Sequence, residues 1–413
     1  LTPDGEIEDV PVKAAAKRIK QGVRPILCHL PATAQRLGRD PFSAHDVLEL
    51  FAFVRPTGFC VPTPRGVAEA MAVAPGDDLA GAALALVEVA ERLLAELGGM
   101  ERPRGITSIA RAMARGGWPW AGPVLAALGE DAEEARQRSP GAGLDVWRRL
   151  PQWSEHAPPQ PPGSEKVTSD EARERLVQLL GSDAEPRPSQ ADYASATAAA
   201  FEPREDEGEP RFILAEAGTG VGKTLGYIAP ASLWAEKNEA PVWLSTYTRN
   251  LQHQIDQELD RLYPDPAAKA RRVVVRKGRE NYLCLLNMED AVKGVAVRRE
   301  DAVALGLLAR WAGATRDGDM TGGDFPSWLV DLLGRRPTLE LTDHHGECIY
   351  SACTHYDRCF IERGVRRARR ADLVIANHAL VMIQAARGLV DRNARPTRYV
   401  FDEGHHVFDA ADN

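Results

Sequence analysis

Three sets of residues in this 413-residue chain have types and spacings that could do chemistry. The first is the stretch 214–225, which reads LAEAGTGVGKTL. An apolar run at 212–214 suits a buried strand, glycines follow, and Lys223-Thr224 falls where a helix can begin. Ala217, Gly218, Thr219, Gly220, Val221 and Gly222 would then turn backbone N–H groups toward a polyphosphate, aided by the positive potential of a helix N-terminus. Lys223 would reach the β- and γ-phosphates of ATP, and the Thr224 hydroxyl would ligate Mg²⁺. Ala217 stands where the strict pattern has glycine. A glycine-rich turn with a chance Lys-Thr is the bland alternative, and the flanking strand and helix signals count against it.

The second set is Asp402 and Glu403, at the end of an apolar run and followed by Gly404, His405 and His406. Adjacent carboxylates at a strand end are costly to hold together unless a cation shares them. With Mg²⁺–ATP nearby, Asp402 would bind the metal and Glu403 would orient and deprotonate the attacking water. His405 joins Lys223, Asp402 and Glu403 as a candidate catalytic residue.

The third set is Cys284, Cys348, Cys353 and Cys359, the last three separated by four and five residues. Disulfides are disfavoured by the absence of secretory context. Free core thiols fit poorly among Glu347, Thr354, His355, Asp357 and Arg358. A metal site of ambiguous identity remains, because four thiolates suit zinc and iron–sulfur alike, and His344, His345 and His355 could also donate. Cys28 and Cys60 lie among apolar neighbours and read as core fillers.

These sets need elements to position them. Short apolar runs at 241–247, 272–276, 372–377 and 398–402 alternate with helical patterns at 170–180 and 250–262, which implies an α/β fold with a parallel sheet. Ligands then sit at the carboxyl ends of the strands. Residues 1–150 form a separate Ala/Leu/Arg-rich block, with a short strand at 24–29 and helices at 46–53 and 78–97. A Pro-rich linker, 151–167, divides this block from 168–413.

Composition is that of an ordinary globular chain, 44% hydrophobic and 27% charged, and the net charge of −8 argues against bulk coating of nucleic acid. No apolar run is long enough to cross a bilayer, and no signal segment follows Leu1, so the expectation is a cytoplasmic protein without membrane contact.

In combination the motifs resemble the first motor domain of a DinG-type, XPD-like superfamily 2 helicase. The segments "KGRENYLC", "ARWAGATRDGD" and "RRADLVIANHAL", the cysteine spacings and the order P-loop, cysteines, acidic box all follow that pattern from about residue 189 onward. The resemblance implies a P-loop RecA-like motor domain, 168–413, with an insertion at about 277–362 that carries a [4Fe–4S] cluster on Cys284, Cys348, Cys353 and Cys359. It also implies ATP-dependent movement 5′ to 3′ on single-stranded DNA and unwinding of forked or structured DNA, by a monomer acting in DNA repair, with ATP as the one small-molecule substrate. Gln190, in Arg-Pro-Ser-Gln, is similar to the family's adenine-reading Gln motif. Thr246, Thr248 and Gln252 resemble motif Ia donors to the DNA backbone, though Thr248 could equally cap a helix. The arginines at 363–370 are either a phosphate track or a solvated face.

The first block resembles the exonuclease-like, ribonuclease H-fold domain of some DinG-type helicases through "ILCHLPATAQRL", "HDVLELFAFVRP" and "RGVAEAMAV". Only Asp46 matches an acidic position, so an inactive α/β version is expected. No second motor domain follows the acidic box, so this chain alone is expected to bind nucleotide, turn over slowly and unwind nothing. The alternatives are a non-catalytic ATP-gated binding module, a nuclease–helicase fusion and a DEAH-type RNA helicase.

Overall fold

The computed structural model describes the chain except residues 3, 102–104, 131–141, 158–159, 182–184, 186, 204–209, 345, 388–397 and 413. Part of the Pro-rich linker and the donor His345 thus lie outside the described residues. The chain divides into two compact units, Leu1–Trp153 with Arg279–Ile361, and Ser154–Gly278 with Glu362–Asn413.

The first unit is mostly helical. Its strands among the described residues are β1 (Ile26–Leu27) and β2 (His45–Asp46), paired in parallel. This differs from the α/β expectation for the first block. The reason is visible in its core, where the 47–54 and 79–99 segments fold as helices and bury Leu48, Phe51, Phe53, Val89, Leu93 and Leu97. Asp78 caps the second of these helices by accepting from Gly81 N–H. The segment 279–361 shares the same core. Its Asp301–Ala312 helix packs on Ile106–Arg115 and Val47–Val54. Gly306 permits that approach, since a Cβ there would collide with Met113. Arg310 is buried, donates from Nε to the Phe53 carbonyl at 2.8 Å, and lies 5.2 Å over the Phe53 ring. Burial brings its pKa down to about 10.

The second unit is α/β with a four-stranded parallel sheet ordered β4-β5-β3-β6, where β3 is Val242–Thr246, β4 Val273–Val275, β5 Leu373–Asn377 and β6 Arg398–Phe401. Alternation along the strands sends Val242, Leu244, Leu373 and Ile375 to one face and Trp243, Val274, Val374 and Ala376 to the other. Helices Ser169–Leu180, Pro188–Ala198, Lys223–Asn238 and Arg249–Leu262 cover the first face. Leu380 and Val381 of His378–Arg387 pack on the second. A capping box at Thr168 and Glu171 starts the first of these helices.

One expected strand does not form. Residues 212–214 lie outside the sheet, with Leu214 fully exposed and Phe212 81% exposed. An apolar run is a strand only when a ladder partner accepts it, and the partner of β6 among the described residues is β3. Among the described residues no helix is long and apolar enough to cross a membrane.

Candidate nucleotide site and cysteine-bearing segment

In the second unit, the residues of the glycine-rich loop lead into the Lys223–Asn238 helix at the carboxyl end of the sheet. Gly220 and Gly222 take positive φ, 82° and 84°, which a side chain would resist. Gly222 has a second reason to lack one, because a Cβ there would strike the Gln190 amide. Gln190 is 3% exposed and donates from Nε2 to the Gly222 carbonyl at 2.9 Å. The structure therefore places Gln190 as a brace for the loop. Ala217, Val221 and Thr224 are half-buried, while Gly218, Thr219 and Gly220 are exposed.

Opposite the loop, β6 delivers Asp402 and Glu403. Lys223 Nζ lies 3.3 Å from Glu403 Oε1, and His405 Nδ1 lies 3.7 Å from Glu403 Oε2. Glu403 holds φ 53° and ψ 48°, a left-handed conformation rarely taken by a residue with a side chain. Burial, and then the Glu403 charge, raise the Asp402 pKa above the usual carboxylate value, with Lys223 opposing. Such a carboxylate gains from a cation. The Asp402 N–H donates to the Ser245 carbonyl at 2.8 Å, which registers the acidic pair against β3.

The expected nucleic-acid donors fall differently. Thr248 is exposed and caps the Arg249–Leu262 helix by accepting from Leu251 N–H at 3.3 Å. Thr246 and Gln252 are 0% and 2% exposed, so they are not surface donors. Thr246 Oγ1 and Gln252 Nε2 are buried without a hydrogen-bond partner. Arg367 and Arg370 donate to the carbonyls of Ala270 and Ala157, so these two arginines also hold local structure.

Sequence reasoning did not single out His378, which is 1% exposed, with Nδ1 2.7 Å from Ser245 Oγ. Burial lowers its pKa, against the pull of the Asp402 and Glu403 main chain. It also missed Tyr247 and His406, whose rings stack with centroids 4.0 Å apart. The available signal was position, since Ser245, Tyr247 and His378 sit at or just past strand ends.

In the first unit, all four cysteines of the candidate set are half-buried. Cys284 is the N-cap of Leu285–Gly294, and Cys359 immediately precedes Phe360–Ala368. Burial raises the Cys284 pKa; the N–H groups of Asn287 and Leu286 oppose this, and the Asp343 and Cys353 charges add to it. The Cys348 sulfur accepts from Arg279 Nη2 at 2.7 Å and from Tyr350 N–H at 3.4 Å. Arg279 also pairs through Nε with Asp343 at 2.7 Å. His355 is 2.6 Å from Glu289, so its ring is already engaged. Among the described residues no three His, Cys, Asp or Glu side chains gather closely enough to hold a single metal ion.

Asp46 is fully buried and accepts from the N–H groups of His29, at 3.1 Å, Leu48, at 3.0 Å, and Leu30. It caps one helix and ties down the start of another. Trp118 Nε1 donates to the neighbouring Glu49 at 2.9 Å.

No family model matches the chain. It is 29% identical over 237 residues to the ATP-dependent DNA helicase YoaA of Haemophilus influenzae, covering 55% of this chain and 34% of that protein. It is 32% identical over 244 residues to the ATP-dependent helicase DinG of Mycobacterium tuberculosis, covering 54% and 34%. Similarity also extends to the 3'-5' exonuclease DinG of Bacillus subtilis, 30% identical over 208 residues, 48% of this chain and 20% of that protein. The chain thus spans about a third or less of the length of these relatives. Over about half of its own length, this chain is similar to helicases named DinG and YoaA.

Proposed function

We propose that the second unit binds Mg²⁺–ATP and serves as the first motor domain of an ATP-dependent DNA helicase, moving 5′ to 3′ on single-stranded or forked DNA as a monomer. The observation that carries this reading is the Lys223–Glu403 pair, 3.3 Å apart between a helix N-terminus and a strand end. In this reading Lys223 would hold the β- and γ-phosphates, Glu403 would orient the attacking water, and Thr224 and Asp402 would hold Mg²⁺. His405, beside Glu403, would help hold that carboxylate. ATP is the one small-molecule substrate in this reading.

Gln190, while bracing Gly222, would also meet adenine. The exposed Thr248 supports a phosphate site on the β3 turn; Thr246 and Gln252, buried beneath it, would join as donors only if the turn opens to a bound strand. The relatives' names support DNA as the track. One relative is named a 3'-5' exonuclease, but Asp46, the acidic position of the first block, is engaged by three backbone N–H groups, which speaks against a nuclease site there.

The cysteine set fits a [4Fe–4S] cluster. The support for it is the cysteine spacing, which resembles that of the helicase family named above, together with four half-buried sulfurs and the Arg279 guanidinium donating to Cys348, which suits a thiolate. Cys284, Cys348, Cys353 and Cys359 would hold it, and the cluster would supply a rigid cross-link with redox character. Anaerobically purified protein should be brown with about four irons per chain. A colourless protein with one tightly bound zinc would contradict the assignment. The nucleotide reading is tested by Glu403→Gln, which should retain nucleotide affinity and slow single-turnover ATP hydrolysis by about a hundredfold or more. Unchanged hydrolysis would refute it.

A further inference from the structure

The turn after β3 and the segment after the acidic pair meet face to face. Tyr247, 47% exposed, stacks on His406 with ring centroids 4.0 Å apart and planes 15° apart. His406 packs on His405 at 4.0 Å, and His405 is the neighbour of Glu403 described above. Beneath this stack, Ser245 accepts from the Asp402 N–H and engages the buried His378. Residues 245–247 therefore grip 402–406 from two sides.

Glu403 gives that grip a consequence. A non-glycine residue at positive φ persists only while its surroundings hold it there. The exposed side of the turn opens on a cavity of about 140 Å³ lined by Tyr247, Asn377, His378, Ala379, Asp409 and Ala410. A ligand seated against the turn would restrict Tyr247, and with it His406 and the backbone that presents Glu403 to Lys223.

We propose that the Tyr247–His406 stack couples the two sites: a single strand of nucleic acid seated on the 246–248 turn locks the stack and thereby tightens nucleotide binding. The inference rests on the nucleotide and single-strand reading given above. Toward the nucleotide, Tyr247 and His406 act as positioning residues and touch neither its phosphates nor its metal. By reciprocity, nucleotide must tighten the strand by the same factor.

The test is titration of a fluorescent ATP analogue with Mg²⁺ into this chain, with and without saturating oligo(dT). The ratio of the two Kd values should be roughly threefold to tenfold, the range one aromatic stack can supply. Tyr247→Ala should bring the ratio to one and leave strand-free nucleotide affinity within about twofold of wild type, while Tyr247→Phe keeps the ratio. His406→Ala should remove the same factor, and the double variant no more than either single one.

A Tyr247→Ala protein with the wild-type ratio would overturn the proposal. So would one that loses oligonucleotide affinity in the absence of nucleotide while the ratio survives, since Tyr247 would then be only a base contact. Nucleotide binding that ignores the oligonucleotide in the wild type overturns the coupling but leaves the nucleotide site standing. Absence of any Lys223-dependent binding overturns both.

Discussion

Asp46 and Asp402 each sit at the end of a short parallel strand and each has a pKa raised by burial, yet they do different things. Asp46 is fully buried and receives N–H groups from three backbone positions. Asp402 is half-buried, adjoins a second carboxylate, and has the Lys223 charge as its counterweight. The surroundings of Asp46 are complete without a ligand. Those of Asp402 balance two negative groups against one lysine and would be completed by a metal–phosphate. The character of a carboxylate here follows from what faces it and cannot be read from its place on the strand.

Asp46→Ala should produce the largest change in fold and none in nucleotide binding. Removing the acceptor leaves three N–H groups without it, at a cost of about 3 kcal/mol or more in chemical denaturation of the first unit. A loss below about 1 kcal/mol would mean that water replaces the carboxylate easily.

A smaller effect is expected next door. Burial, and then the Asp46 charge, push the Glu49 pKa up to about 8, with the Trp118 hydrogen bond opposing. Folded Glu49 therefore keeps its proton between the ordinary glutamate value, about 4.5, and about 8, while the unfolded chain has lost it. The folded state binds more protons in that window, so stability falls as pH rises through it, by up to about 1.4 kcal/mol per pH unit from this residue. Glu49→Gln should flatten that part of the Tm-against-pH curve. An unchanged slope would place the titration elsewhere.

Much of the second unit was legible in the sequence. The apolar runs at 241–247, 272–276, 372–377 and 398–402 became β3 to β6, because each is short, β-branched or aromatic, and bounded by breakers. Thr248 as a cap was also readable, since its side chain acts within three residues of itself. What escaped was non-local. Residues 212–214 have the local character of a strand but no ladder to join among the described residues. Nothing near residues 301–312 signals that they fill the core of a block almost two hundred positions earlier, a fit that depends on Gly306 meeting Met113. Gln252 reads as an exposed polar residue until the helix phase buries it.

The site followed the same rule. Lys223, Asp402 and Glu403 could be named from spacing because a phosphate loop and an acidic strand end have fixed chemistry. His378 and the Tyr247–His406 stack could not, because their meaning lies in contacts between segments more than a hundred residues apart.

The central claim is that the loop at 217–224 and the acidic pair form one Mg²⁺–nucleotide site. Its most direct test is calorimetric titration of Mg²⁺ with a non-hydrolysable ATP analogue into wild type and Lys223→Ala, with circular dichroism as the control for folding. The account predicts an unchanged spectrum and a loss of affinity of about a hundredfold or more, as expected when a charge-assisted phosphate contact is removed. Equal affinity in the two proteins would contradict it.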